Sequence, residues 1–371
     1  MTNLIYLIFF SLSLGQFGRI SFLNQLVNVN LHDILIFLFI LSISLRHRMK
    51  LWQFIKKDKH TLLVMAAFTF SFVIGSWNFS NFQNLIGLLY LSRFIMYLIF
   101  FLCLNFWKKQ EKEVDRILTS GFYCFVVMII IFGSGQYLLY PNLRNLYYLG
   151  WDPHQFRIFA TFFDTTTAGV IFAMTVTYLL AKPGKHVVKA VAAVSFILML
   201  LTYSRVTFIS FIISSIHFLK TRISLKYMSL LFTIFVGLLV LLPRPFGEGV
   251  KLERLFTVYS RTEDINQGLQ LFSKSPLLGV GYNRIGFFKD KNDGKFPSHA
   301  TFGFSSSYII ILASAGIVGF IAFLLWLVNL FRKGSSVSKT ILILILVASL
   351  FDNVILNSFV MTLFFLMYYF S

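Results

Sequence analysis

The chain has 371 residues, of which 57% are hydrophobic and 13% charged, and it contains 46 phenylalanines. This composition excludes an ordinary soluble globular domain and is typical of an integral membrane protein. The formal net charge of +19 would suit nucleic acid binding, but Lys and Arg clustered beside apolar segments are what orientation in a membrane requires. We therefore expect a membrane protein with no nucleic acid partner.

Apolar runs of about 17 to 25 residues recur along the chain, and this is the length that a helix needs to cross the hydrocarbon layer. The pattern predicts an all-α polytopic membrane protein with about twelve transmembrane helices, at residues 3–18, 30–46, 61–77, 84–106, 118–139, 160–181, 187–203, 206–219, 227–243, 305–331, 338–354 and 356–371. Residues 4–14 have no basic residue before them and no small-residue cleavage site after them, so we interpret them as part of the first span rather than as a signal peptide.

The distribution of basic residues predicts the orientation. Five alternate connections hold 19 of the 33 Lys and Arg residues, at residues 46–59, 108–116, 182–189, 220–226 and 332–339. Because cytoplasmic loops are enriched in Lys and Arg, we expect these connections and both termini in the cytoplasm. By parity, the long polar stretch at residues 243–303, between the ninth and tenth spans, is extracytoplasmic. We predict a single membrane domain over residues 1–371 with this stretch as its one elaborated loop.

Arg93 lies in the middle of the fourth predicted span, where a guanidinium is costly unless it faces a cavity or a partner. The sequence leaves two interpretations open. Arg93 is either a functional residue, or a structural one that pairs with a carboxylate such as Asp33 or Asp352 or extends its head group to the interface.

Several polar residues are predicted at the outer membrane surface. Arg157 and Asp164 belong to residues 157–169, where polar groups enter the sixth span, and three consecutive Thr residues there would also suit hydrogen bonds to their own helix backbone. Arg205 follows Ser204 and opens the eighth span. That position suits an anionic ligand or, alternatively, a lipid phosphate.

The long loop has internal order. Residues 261–274 place Ile265, Leu269 and Phe272 at helical spacing, with charged and amide side chains on the other faces, which predicts a helix lying on the bilayer surface. A turn-rich segment follows at residues 275–284, in which glycines allow close backbone approach.

His299 is the only histidine of the long loop. The near-neutral pKa of histidine side chains suits a general base, although an isolated loop histidine is more often an ordinary solvated residue. No spacing of His, Cys, Asp or Glu predicts a metal site. The two cysteines, Cys103 and Cys124, lie in apolar runs and predict no disulfide.

The order of these elements resembles that of the bacterial O-antigen ligase and polymerase superfamily, which are membrane glycosyltransferases that act on polyprenyl-diphosphate-linked glycans. The similar features are an Arg-containing segment entering a span at residues 157–169, Ser204 with Arg205, an amphipathic helix with Arg261, a Pro-Leu-Leu-Gly-x-Gly turn at residues 276–281 and a glycine-containing helix at residues 308–319. The resemblance covers residues 155–325. No single motif is specific, but their order and placement are.

The resemblance implies a polymerase that joins undecaprenyl-diphosphate-linked oligosaccharide repeat units into a surface polysaccharide in the bacterial cytoplasmic (inner) membrane, with diphosphate as the leaving group. It implies no cofactor and no metal, because planar Arg donors would bind the departing diphosphate. The candidates are Arg157, Arg205 and Arg261, then Arg244 and Arg284, with His299 or Asp164 as the catalytic base. The expected partners are the lipid-linked glycan, the lipid bilayer, a chain-length regulator and a flippase.

Two alternatives stay open. An O-antigen ligase would transfer the glycan to lipid A core, but ligase members usually carry a His-Asn pair where this chain has Ser305 and Ser306, which favours the polymerase. A non-enzymatic flippase or transporter would be expected to place polar residues near the bilayer midplane, and only Arg93 clearly lies there in the predicted spans.

Overall fold

The computed structural model describes residues 1–23, 25–182, 186–220, 225–243, 245, 248–253, 255–289 and 303–370. Within these residues the chain is almost entirely helical. The helices are α1 (Thr2–Leu14), α2 (Leu31–Lys57), α3 (Lys59–Gly75), α4 (Asn81–Gln110), α5 (Val114–Leu139), α6 (Thr165–Ala181), α7 (His186–Leu200), α8 (Arg205–Leu219), α9 (Leu225–Leu241), α10 (Phe256–Lys274), α11 (Gly286–Lys289), α12 (Ser307–Lys333), α13 (Ser336–Phe351) and α14 (Ser358–Tyr368). Short 3-10 helices lie at Gly15–Gly18, Ser76–Asn78, Arg144–Leu149, Ala160–Phe162 and Glu248–Val250.

A helix lies at the position of every predicted span, and the prediction of an all-α integral membrane protein is confirmed. Four helical stretches of the described chain are long and apolar enough to cross a membrane by length and composition: Lys59–Asn78, Asn81–Gln110, Val114–Leu139 and Ser307–Lys333. The other apolar helices are shorter, so the number of twelve crossings stays a prediction. A helix is also present at the predicted amphipathic segment, as α10.

Polar residues at the helix starts explain why many helices begin where they do. In the part of the chain that the structure describes, side-chain oxygens accept a hydrogen bond from a first-turn backbone N–H at Asp58, Ser80, Asp164, Ser204, Ser335 and Asn357. Such caps satisfy donors that the first helical turn leaves unpaired. Asp164 and Ser204, both singled out in the sequence, therefore have a structural role at the starts of α6 and α8.

A β-hairpin that the sequence did not predict joins α1 to α2. Its strands, β1 (Arg19–Phe22) and β2 (Val27–Asn30), pair antiparallel, with Arg19 opposite Asn30. The turn between them includes Leu23 and Gln25 at φ values of 52° and 69°. Each strand has only four residues, which is too short for an alternating pattern to be recognised between two apolar runs.

The α6 helix lies at the centre of the bundle, with every residue from Thr165 to Leu179 buried. It packs against α7, α8 and α13. Peripheral helices expose large apolar side chains such as those of Phe37, Phe70 and Ile131. Exposed apolar faces of this kind are expected where helices contact lipid.

Contacts near the helix ends place the connections in two groups, one at each end of the bundle. At one end, the Thr161 hydroxyl donates to the carbonyl of Ser13 over 2.8 Å. At the other end, Lys182 Nζ donates to the carbonyl of Phe370 over 3.3 Å. We call the first the outer end, because its connections are the ones predicted to be extracytoplasmic, at residues 15–30, 140–164, 201–204 and 352–357. The grouping agrees with the predicted parity, and the side of the membrane stays a prediction.

The α12 helix is kinked at Gly316, whose φ of 63° and ψ of −168° are not helical. The turn at residues 276–281 inserts beside the kink. The amide of Val280 donates to the carbonyl of Ala313, and the amide of Ile317 donates to the carbonyl of Pro276, both over 2.9 Å. These bonds replace backbone pairing that the kink removes from α12. The two glycine-containing segments of the resemblance are therefore in direct contact.

Candidate functional site

Four of the site residues predicted from the sequence lie near one another at the outer end. They come from separate segments of the chain. Arg157 precedes α6, Asp164 caps its N-terminus, Arg205 is the first residue of α8, and Arg261 lies in the first half of α10. The bundle therefore gathers residues that are about a hundred positions apart in sequence.

Two further aspartates complete this group. Asp152 interacts electrostatically with Arg157 and Asp164. Asp352, which follows the last residue of α13, interacts with Asp164 and Arg261. Asp164 thus interacts with two other carboxylates, and each of those also interacts with a guanidinium. We call the three arginines and three aspartates the outer cluster.

Arg157 is held in one orientation by the connection between α7 and α8. Its Nε donates to the carbonyl of Thr202 over 2.9 Å, and its Nη2 donates to the carbonyl of Tyr203 over 3.2 Å. The side chain is only 6% exposed. Gly249 of the long loop passes directly over it, since a Cβ at that position would lie 2.8 Å from Arg157 Cδ. The long loop therefore forms part of the wall around this guanidinium.

Arg205 is positioned both by its backbone and by its guanidinium. Its backbone begins α8, which Ser204 caps by accepting from the amide of Thr207 over 3.3 Å. Its Nη1 donates to the carbonyl of Leu252 in the long loop over 3.1 Å. The positive charge of Arg261 acts on Arg205. Two guanidiniums held near each other are a site at which an anion would relieve mutual repulsion.

Arg261 and Asp352 form an ion pair with Nη2 and Oδ2 3.1 Å apart. The two side chains are 30% and 31% exposed, so this pair stays accessible to water and to a ligand. The other carboxylate oxygen of Asp352 accepts from the amide of Asn353 over 2.9 Å. The pair links α10 to the connection that follows α13.

The start of α6 is tied to the connection between α13 and α14. Asp164 accepts from the amides of Thr166 and Thr167 over 3.3 and 2.7 Å. The Thr166 side chain interacts with Asp352, and Thr167 Oγ1 accepts from Asn357 Nδ2 over 3.1 Å. The Thr167 hydroxyl therefore bonds to another element, whereas the sequence had suggested only bonds of the Thr run to its own helix backbone.

Two carboxylates of the outer cluster, those of Asp352 and Asp152, have pKa values raised above their ordinary range. Desolvation by the surrounding protein raises the pKa of Asp352 to about 6, and the Asp164 carboxylate adds to this, while Arg261 opposes it. Asp152 keeps an exposed face, yet partial desolvation and the Asp164 carboxylate also raise its pKa, against the effect of Arg157. A carboxylate with a raised pKa is a stronger base than an ordinary one, which suits proton transfer.

Backbone strain is concentrated beside these residues. Phe156, Phe163 and Tyr203 have φ values of 50°, 58° and 50°. They directly precede Arg157, Asp164 and the Ser204-Arg205 pair. Left-handed backbone is unfavourable for bulky residues and is found preferentially at functional sites. The strain fixes the direction in which each following polar side chain leaves the backbone.

Arg284 lies apart from this arrangement. It is fully buried, with its guanidinium 3.7 Å from the centre of the Phe72 ring and 5.0 Å from that of Phe79. Its Nη1 donates to the carbonyl of Phe72 over 2.9 Å. Desolvation lowers its pKa to about 10. These contacts attach the segment after α10 to α3, so the geometry favours a structural role over diphosphate binding. The other second-choice cation, Arg244, and the candidate base His299 lie outside the described residues.

Arg93 is paired with Asp33, as one of the two sequence interpretations proposed. Its Nη2 lies 3.0 Å from Asp33 Oδ2, and its Nη1 donates to the carbonyl of Asn28 over 3.2 Å. The Tyr97 hydroxyl donates to the same carboxylate. The pair ties α4 to α2 and to the hairpin, which accounts for an arginine inside an apolar helix.

Asp352 and Asp152 are the members of the outer cluster that sequence reasoning missed. Asp352 was considered only as a partner for Arg93. The available signal was its position, because it is a lone carboxylate in a short connection of the same parity as the long loop. Parity alone places it at the outer end, but its proximity to Arg261 depends on how α10 crosses the bundle.

A family model described as O-antigen ligase matches residues 190–324. No curated protein matches the chain. The matched region includes Arg205, Arg261, the turn at residues 276–281 and the kinked α12, and it begins after Arg157. The resemblance inferred from the sequence is confirmed over this region: residues 190–324 are similar to the O-antigen ligase and polymerase superfamily of membrane glycosyltransferases.

Proposed function

We propose that this protein is a polysaccharide polymerase of the bacterial inner membrane. It transfers a growing glycan from undecaprenyl diphosphate to a hydroxyl of the next lipid-linked repeat unit, which builds an O-antigen, capsule or exopolysaccharide. The observation that carries the proposal is the outer cluster, in which guanidiniums and carboxylates meet. Two of its arginines, Arg205 and Arg261, lie in the region similar to O-antigen ligase. Diphosphate release and proton transfer require these two kinds of group.

The guanidiniums serve the leaving group. As the acceptor oxygen attacks the anomeric carbon, the bond from that carbon to the diphosphate oxygen breaks and negative charge grows on the diphosphate. Arg205 and Arg261 offer planar donors to that charge, and Arg157 fixes the adjacent backbone. Preorganised donors aimed at developing charge stabilise a transition state more than a ground state. The proposed reaction needs no metal for this step.

The acceptor hydroxyl loses its proton in the same reaction. Asp352 is a suitable proton acceptor because it is accessible, lies beside Arg261 and has a raised pKa. Asp164, the N-cap of α6, interacts with Asp352, and its carboxylate adds to the desolvation that raises the pKa of Asp352. His299 stays a candidate for the same role. A base within hydrogen-bond reach of the hydroxyl contributes roughly 100-fold or more to rate.

The test is elongation by purified protein in liposomes supplied with lipid-linked repeat units. Arg205→Ala and Arg261→Ala should each abolish long chains, with Arg261→Lys recovering little because a Lys lacks the planar fork. The matched control is Arg332→Ala at the opposite end of the bundle, which should elongate normally. Full-length polymer from the Arg205 and Arg261 variants, at normal protein levels, would remove these residues from the mechanism.

A ligase is the second candidate, favoured by the description of the matching family. Against it, the two serines at the position of the ligase His-Asn pair are bonded within the protein: Ser305 to Asp264 over 2.6 Å and Ser306 to the carbonyl of Ser349 over 3.1 Å. Gene deletion separates the two functions. Loss of a polymerase leaves surface glycan with a single repeat unit, whereas loss of a ligase leaves glycan on the lipid carrier.

A transporter or flippase is less well supported. Arg93, the charged residue that would serve transport from the middle of a span, is held by Asp33. In liposomes, elongation of supplied repeat units without net movement of lipid-linked glycan across the bilayer would exclude transport as the primary activity. A flippase and a chain-length regulator are instead proposed as partners that supply the substrate and set the product length.

A further inference from the structure

A pocket of about 190 Å³ lies at the outer end, outside the outer cluster. It is formed by the hairpin turn, the first half of α4 and the segment leading into α11. Polar walls come from Gln25, Asn28, Tyr90 and Asn283, and apolar walls include Ile86 and Phe287. None of the described residues that line this pocket is charged.

The polar wall is held in a defined arrangement. The Tyr90 hydroxyl accepts from the backbone amide of Asn28 over 3.1 Å and donates to the carbonyl of Leu26 over 3.2 Å. Gln25 Oε1 accepts from Arg19 Nη2 over 2.9 Å. These bonds use the acceptor side of Gln25 and leave its amide nitrogen, which can donate to a ligand. Asn283 adds a second amide from the opposite wall.

This chemistry fits an uncharged sugar. Amides offer both donors and acceptors to ring hydroxyls, and the partly exposed ring of Phe287 suits the C–H face of the sugar. The pocket is smaller than the ~300 Å³ at which sites for drug-sized ligands begin, which suits one sugar residue rather than a whole repeat unit. A phosphate would find no cation in the described lining.

An aromatic surface connects the pocket with the outer cluster. Arg19, which holds Gln25, lies with its guanidinium 5.1 Å from the centre of the Trp151 ring. Trp151 in turn packs 5.2 Å from the ring of Phe163, the residue before Asp164. Phe17 packs on the same Phe163 ring at 5.3 Å and is 69% exposed. Aromatic faces of this kind suit contact with sugar rings along an extended glycan.

We propose that this pocket is a subsite for a neutral sugar of the acceptor glycan, separated by the aromatic surface from the hydroxyl that reacts at the outer cluster. The inference rests on the proposed polymerase function, because an acceptor of several sugars must be held beyond its reacting residue. Remote binding of this kind orients the acceptor and lowers its KM without touching the reacting atoms.

The subsite is tested with purified protein in nanodiscs and the free repeat-unit oligosaccharide, released from its carrier by mild acid. Binding is followed by saturation-transfer NMR, and acceptor KM by the elongation assay. Asn283→Gly removes one amide at a φ of 56°, which glycine tolerates, and Ile86→Trp fills the pocket. Leu23→Gly, at a φ of 52° in the same hairpin turn but outside the lining, is the matched control.

We expect Asn283→Gly to raise the acceptor KM by about tenfold, the equivalent of one good hydrogen bond, with kcat and donor KM unchanged. Ile86→Trp should abolish binding, and Leu23→Gly should behave as wild type. Unchanged binding and KM in both pocket variants, with normal elongation, would overturn the subsite alone. If the protein does not elongate but binds the glycan, and Ile86→Trp abolishes that binding, the subsite is supported and the polymerase function is overturned. Displacement of the glycan by inorganic phosphate would overturn the neutral-sugar assignment.

Discussion

Asp352 is the residue of the outer cluster on which the pH dependence of catalysis should rest. Its pKa is raised to about 6, so it loses its proton, and becomes able to accept one, as pH rises through that value. We expect kcat/KM for elongation in liposomes to fall as pH is lowered through about 6. Asp352→Asn should lower the rate roughly 100-fold or more at neutral pH and remove this acidic limb. An unaltered limb in Asp352→Asn would assign the titration to another group.

Asp164 acts on Asp352 through its charge, and this can be separated from its role as a helix cap. Asparagine caps helices about as well as aspartate, so Asp164→Asn should keep α6 intact. Because the Asp164 carboxylate helps to raise the pKa of Asp352, removing its charge should move the acidic limb to lower pH. The pH profile of elongation measures the shift, and an unchanged thermal midpoint in nanodiscs confirms that the cap is kept. A limb that moves to higher pH would contradict the electrostatic role.

At the scale of elements, the junction between the 276–281 turn and α12 should be intolerant of side chains. Gly316 has a φ of 63°, and a Cβ there would overlap the carbonyl of Leu277. Gly316→Ala should therefore lower stability by ~1–3 kcal/mol, the usual cost of such strain, and elongation should fall with it. Gly237→Ala in α9, where nothing lies within 4 Å of the added Cβ, should change stability by no more than ~1 kcal/mol. Thermal melts in nanodiscs compare the two.

Some elements of the fold could be predicted from the sequence, and others could not. Apolar runs predicted the positions of the long helices because lipid and core both require apolar side chains, and the amphipathic spacing of residues 261–274 predicted α10. The hairpin was missed because its strands are short and lie between two such runs. The kink in α12 was missed as well, since glycine in an apolar helix is common and only the inserted turn gives Gly316 its conformation.

At the scale of the whole molecule, most residues of the candidate site could be proposed from the sequence, but their arrangement could not. Arg157, Asp164, Arg205 and Arg261 became candidates because they lie at predicted span ends or in the long polar loop, in an order that resembles the O-antigen ligase and polymerase superfamily. Their grouping needed the packing of α6, α8 and α10, which no local pattern encodes. Asp352 joins the outer cluster through that packing, because it pairs with Arg261 of α10. The same packing argues against Arg284 as a diphosphate ligand, because its side chain is buried against the Phe72 ring.

The orientation of the whole bundle is open to direct measurement. We expect the outer end to face away from the cytoplasm, since the alternate connections hold 19 of the 33 basic residues. In a variant without native cysteines, Tyr147→Cys and Glu263→Cys, both exposed at the outer end, should react with a membrane-impermeant maleimide on intact cells freed of their outer membrane. Lys57→Cys, exposed at the opposite end, should react only after the cytoplasmic membrane is opened. Labelling of Lys57→Cys before that step would invert the topology and place the outer cluster on the side where lipid-linked repeat units are assembled rather than polymerised.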